Sequence, residues 1–177
     1  MATSLVPIYI GLAPDPTNND ASPNGPPTWE PFSILATNDQ WHKHILRFGS
    51  DNAVAPTLRI EAHGGFRVPK DYASAAVLVI DWTSTLTTGN LAWDFDYRAV
   101  AVGEGLDQTT QQEQVTVTDA APSTALDLER ATISLTDANF TIDDQVEFHL
   151  ARDGAAAADT MAGSGILWDL SFQYTTT

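Results

Sequence analysis

The sequence predicts an all-β fold: a sandwich of two antiparallel sheets with an extended N-terminal arm. Three observations carry this reading. Apolar residues recur at every second position in most segments, the period of a half-buried strand. Clusters of Gly, Pro, Asn, Asp, Ser and Thr separate these segments at short intervals. The only helical candidates are the alanine-rich stretch 153–163 and the short 121–125.

Residues 1–28 stand apart. Pro14, Pro16, Pro23, Pro26 and Pro27 sit among Asn18, Asn19, Asp20, Asn24 and Gly25, with almost nothing apolar between them. Such a segment cannot bury enough surface to fold alone, and proline is excluded from central strands. Only 5–12 has the character to pair, at a sheet edge. The sandwich domain is therefore expected over 29–177.

Strands are predicted at 29–36 and 41–48, a hairpin around the polar turn 37–40. Leu58, Ile60 and Ala62 alternate before Gly64-Gly65, and Phe66 and Val68 resume after it, so a bulge or bend is expected at the glycines. Stretch 75–82 is apolar on both faces, as in a central strand. The turn 87–90 then leads into 91–102, expected to pair antiparallel with it. That stretch organises the chain. Leu91, Trp93, Phe95 and Tyr97 point one way, and Asp94, Asp96 and Arg98 form an ionic row on the other. After Arg98 both faces turn apolar, so Val100 and Val102 are expected to be covered by a subunit or by the arm. A polar connection, 103–114, leads to a short strand around Val115 and Val117. Strands follow at 128–135, 145–152 and 166–174, about eight main strands in all. In the last, Ile166, Trp168, Leu170, Phe172 and Tyr174 are expected inward.

Composition narrows function. Eight basic against 23 acidic residues give a net charge of −15, with no Lys/Arg cluster, which sets nucleic acid binding aside. No run approaches the roughly 20 apolar residues of a membrane helix, and the N-terminal stretch lacks the basic start of a signal peptide. A soluble protein without an export signal is expected. With no cysteine, disulfides and thiolate metal sites are impossible, in keeping with assembly in a cytoplasm.

The chemistry-bearing residues form no recognisable machinery. His42 and His44 share a strand face, with His63 a conceivable third ligand, yet Lys43 intervenes and no acidic residue is adjacent. Surface or interface histidines and no metal are expected. The stretch 20–25 resembles the first half of a calcium loop, but position twelve is Pro31 rather than a bidentate glutamate. Asp94 and Asp96 invite a two-carboxylate glycosidase reading, which Arg98, continuing the same face, makes less apt than an ionic row. No nucleophile, base and oxyanion hole assemble, so no catalytic residue and no cofactor are expected. Trp82, Trp93 and Trp168 read as core; Trp29 and Trp41 are the remaining candidates for an exposed aromatic platform.

Four pieces of sequence carry a family resemblance: VPKDY at 68–72, TTGN at 87–90 leading into LAWDFDYRAVAVGEGLD, VTDAAP at 117–122, and ARDGAAAADTMAGSGILWDLSFQY at 151–174. Over about residues 66–174 the chain resembles small jelly-roll structural proteins of tailed bacteriophages, of the capsid cement or decoration type. The resemblance implies a jelly roll, a homotrimer, a major capsid protein as partner, a place on the virion surface, and no catalytic residues. Residues 1–65 carry no matching motif. The favoured expectation is thus a capsid-stabilising subunit, gripping through Val100, Val102, Pro14, Pro16, Pro26, Pro27, Trp29 and Trp41. The alternative is a receptor- or glycan-binding module of a head or tail fibre.

Overall fold

The computed structural model describes residues 2–8, 13–14, 26–35, 40–49 and 55–177. The described residues form eleven strands: β1 (Thr3–Pro7), β2 (Ala13–Pro14), β3 (Thr28–Leu35), β4 (Gln40–Phe48), β5 (Arg59–Arg67), β6 (Tyr72–Thr83), β7 (Asn90–Val100), β8 (Gln112–Ala120), β9 (Glu129–Ser134), β10 (Gln145–Asp153) and β11 (Gly165–Thr176). They form two antiparallel sheets. One runs β3-β4-β11-β6-β9 with β1 added on β11; the other runs β2-β5-β10-β7-β8. Counting β4 to β11 as one to eight, the sheets read 1-8-3-6 and 2-7-4-5, the strand order of a jelly roll. The expected fold class is the observed one.

The inward faces meet in an aromatic seam. Trp93 stands edge-on to Phe48 at 5.3 Å and to Trp82 at 6.1 Å, and Phe66 lies 4.8 Å from Phe172. Each contact links one sheet to the other. The predicted antiparallel pairing of β6 with β7 is corrected by this arrangement. The two strands lie in opposite sheets and meet through their side chains, because residues 84–89 carry the chain across the sandwich.

Three local readings also change. No bulge occurs at Gly64-Gly65: the register with β10 runs unbroken from Arg67 to Arg59. Gly64 is there for clearance, since a Cβ would lie 2.5 Å from the Phe148 ring. A bulge does occur in β11, between Leu167 and Asp169, and it shifts the side-chain phase by one. Leu167, Leu170, Phe172 and Tyr174 therefore join the core, while Trp168 is left half-buried with Lys43 Nζ 4.5 Å from its ring centre. The described parts of residues 1–28 are likewise woven into the sheets. Thr3–Pro7 pairs with 171–175, Ile8 is buried, Ala13 and Pro14 pair with His63 and Ala62, and Pro27 is buried.

Neither helical candidate forms a helix. Stretch 121–125 is extended and bent, and 153–163 is a turn-rich loop organised by a buried ion pair. Arg152 faces inward on β10 and donates to Asp159 through Nε at 2.8 Å and Nη2 at 2.6 Å, and also to the carbonyls of Met161 and Gly163. Asp159 in turn accepts from the Ala92 amide at 3.2 Å. The loop closes in tight turns instead, the Ala156 amide donating to the Asp153 carbonyl at 3.1 Å and the Asp159 amide to the Ala156 carbonyl at 3.0 Å.

Both side chains of this pair are fully buried, so removing one partner strands the other's charge. Asp159→Ala should cost about 3–5 kcal/mol. The solvent-facing Arg130–Asp81 pair, at 2.6 Å, should behave differently, Arg130→Ala costing less than about 1 kcal/mol. Urea unfolding of the two variants checks this, and similar costs for both would contradict it.

Candidate functional site

The outer face of the five-stranded sheet concentrates the polar chemistry. Strand alternation sends Arg59, Glu61 and His63 of β5, Glu147 and His149 of β10, Asp94, Asp96 and Arg98 of β7, and Gln112 and Gln114 of β8 to the same side. The registers set them in rows across the sheet. His63, His149, Asp96 and Gln114 are successive cross-strand neighbours, as are Gly65, Glu147, Arg98 and Gln112.

Arg59 holds the middle of this face. From β5 it reaches over β10 to β7, donating to Asp94 Oδ2 at 3.0 Å and to Asp96, and it also pairs with Glu61. The crossing is possible because the intervening outward residue of β10 is Ala151, small and wholly covered. Burial alone would weaken the Arg59 charge, but Asp96, Glu61 and Asp94 together hold its proton more tightly than usual. Asp96 is pushed above the ordinary carboxylate range, first by burial and then by repulsion from Asp94, against the pull of Arg59.

Asp94 corrects the picture of a solvated ionic row. It is only 1% exposed, covered by Arg59 and by Gln114, whose Nε2 donates to it at 2.8 Å. Its Oδ1 is buried with no hydrogen-bond partner among the described residues.

Beside this network lies an open cleft of about 720 Å³. It is lined by Asp96, Arg98 and Val100 of β7, Gln112 and Gln114 of β8, Glu147 and His149 of β10, and Leu106 from the 101–111 connection. That connection is pinned rather than loose. Gln108 donates to the Ala99 carbonyl at 2.7 Å, Glu104 accepts from the Ala101 amide at 2.9 Å, and Arg98 donates to the Leu106 carbonyl at 2.5 Å. Tyr97, behind the cleft, has its hydroxyl on Glu113 at 2.8 Å and resists ionisation, chiefly through burial.

The sequence-stretch candidates are scattered. Val100 lines the cleft half-buried, while Val102 is 96% exposed beyond the strand. Trp29 is partly exposed on β3; its partner is Leu46, whereas Trp41 pairs with Ile34, so the two tryptophan positions stand about 17 Å apart along the ribbon. Pro14 pairs with Ala62, Pro26 is half-buried and Pro27 buried. Pro16, the stretch 20–25 and the side chains of Trp41 and His42 lie outside the described residues. His44 and His63 occupy different sheets, so they do not converge. His63 meets instead His149, its cross-strand partner, with ring centres 4.1 Å apart. Alternation marked His149 as outward in the sequence, but nothing there signalled its pairing with a residue 86 positions away.

No family model and no curated protein matches the chain. Solved structures similar to it include carbohydrate-binding modules. The CBM22-1 xylan-binding domain of Paenibacillus barcinonensis Xyn10C has 8% identity and a TM-score of 0.49, covering 99% of this chain and 97% of that one. CBM35 from Cellvibrio japonicus Abf62 has 12% identity and a TM-score of 0.45, covering 98% and 95%. A family 35 module from Clostridium thermocellum has 8% identity and a TM-score of 0.46, covering 99% and 100%. Likeness at this level assigns no residue a role.

Arg59 neutralises carboxylates that would otherwise repel one another in a half-buried site. Arg59→Met should cost about 2–5 kcal/mol, and adding Asp94→Asn should recover part of it. Chemical denaturation of the single and double variants measures both, and an additive double variant would show that Arg59 and Asp94 do not depend on each other.

Proposed function

We propose that the chain is a non-catalytic binding module that holds a neutral glycan in the cleft over β7, β8 and β10. The observation that carries this reading is the cleft itself: an open groove of about 720 Å³ where amides, carboxylates, a guanidinium and an imidazole stand side by side around the apolar Val100 and Leu106. A sugar ring needs that mixture, since it presents hydroxyls that both donate and accept, with C–H faces between them. Several lining groups are already held by neighbours, so little side-chain entropy is lost on binding. The net charge of −15 disfavours a polyanionic sugar. Asp94 and Asp96 share one guanidinium, which supports a structural use of the carboxylates over a catalytic one.

Titration calorimetry against oligosaccharides should show binding to a neutral chain and none to polygalacturonate. Xylo-oligosaccharides head the panel, because xylan-binding domains are among the similar solved structures. Gln112→Ala and Glu147→Ala, both at exposed positions, should each weaken binding about tenfold, and Trp29→Ala should not. Binding that ignores the two cleft substitutions would place the ligand elsewhere.

A second reading has its own support. The phage resemblance of residues 66–174 suggests a trimer on a capsid, and Val102 and Leu106, each in the connection 101–111 and 96% and 80% exposed, are large apolar side chains that a subunit or particle would cover. Light scattering should then give a trimer that Val102→Asp reduces to monomer with the fold intact. A monomer in the unsubstituted chain would count against this reading and leave the cleft unaffected.

A further inference from the structure

We propose that Glu61, His63 and His149 form a binding site for a zinc-type transition-metal dication. Glu61 and His63 stand two apart on β5 and share its outer face, and His149 is the cross-strand neighbour of His63 on β10. One ligating atom from each of the three lies within 4.8 Å of the others. His149 Nδ1 is 3.8 Å from Glu61 Oε2, and the imidazoles meet at 63°. Tetrahedral bonds of about 2.0–2.1 Å place donor atoms about 3.3–3.4 Å apart. The three side chains are half-buried, so small torsional changes can close that gap while solvent keeps access to a fourth position.

The donor set selects the metal class. Two imidazoles and one carboxylate suit zinc and its transition-metal neighbours, whereas calcium and magnesium prefer six or more oxygens. The surrounding charge favours a dication as well. The groups facing the three ligands are Arg59 on β5, Asp96 and Asp94 on β7 and Glu147 on β10. Glu61, Asp94 and Asp96 together carry three negative charges around the single guanidinium of Arg59. A metal would draw Glu61 from Arg59, which keeps Asp94 and Asp96. The site shares His149 with the cleft, and it does not depend on the cleft taking a sugar.

The test uses the full chain, free of any histidine tag and stripped with EDTA. Zinc chloride titrated by calorimetry should bind at one ion per chain with a micromolar or tighter Kd, on the order of the affinities of sites with three protein ligands, and should raise the melting temperature. Calcium and magnesium chloride should do neither. Zinc should shift the imidazole NMR signals of His63 and His149 and leave those of His44 in place. His149→Gln and Glu61→Gln should each weaken zinc binding about tenfold or more, with His44→Gln unchanged. The proposal is overturned by a Kd weaker than about 100 μM, by equal response to calcium, or by zinc shifting His44 instead. If His149→Gln fails to fold, the NMR shifts in the unsubstituted chain and Glu61→Gln decide. Glycan binding measured in EDTA keeps failure here separate from failure of the cleft reading.

Discussion

The buried pair of Arg152 and Asp159 is the constraint on which the arrangement of the sheets turns. One guanidinium, reaching inward from β10, gathers the carboxylate and two carbonyls of the 153–163 loop. Through Asp159 it also grips the Ala92 amide of β7, and the loop's Thr160 and Met161 amides close on the Asn90 carbonyl. The loop then delivers the chain into β11, in the opposite sheet. A charge this deep is tolerable because each of the three guanidinium nitrogens has a partner, one of them the opposite charge of Asp159. It secures β10 against β7, and thereby the register of the outer face.

That face repeats the device on the solvent side. Arg152 sits just after Ala151 in β10, and over Ala151 passes Arg59, so one strand has a cation beneath it and another above. The inner cation orders a loop; the outer one keeps acidic side chains together. Acidic residues of β5 and β7, strands with β10 between them, are tied together by that guanidinium. The cleft and the Glu61–His63–His149 cluster flank this tie and borrow their rigidity from it.

Much of the fold is legible in sequence, because alternation is a local signal. Val146, Phe148 and Leu150 announce their strand and its buried face, and Trp82 and Trp93 are core as their positions imply. What is not legible depends on partners far along the chain. Alternation cannot say that β6 and β7 belong to different sheets, nor that Gly64 exists to admit Phe148. The Trp168 bulge is hidden because an extra residue leaves an apolar stretch looking regular. Asp94 is equally opaque: nothing near it in sequence foretells that Arg59, 35 positions earlier, will cover it. The candidate site is of this second kind, assembled from four strands whose registers are properties of the closed sandwich.

The pairing of β1 with β11 bears on how the domain would respond to mechanical load. Thr3 lies opposite Thr175, and the Thr176 amide donates to the Ala2 carbonyl at 2.8 Å, so both ends of this chain emerge at one corner. Tension applied between them would meet the ladder one hydrogen bond at a time and peel β1 away like a zip. It would not shear the whole ladder at once. The domain is thus compliant along its own ends. The five-stranded sheet, with its cleft and charged face, lies outside that line of force.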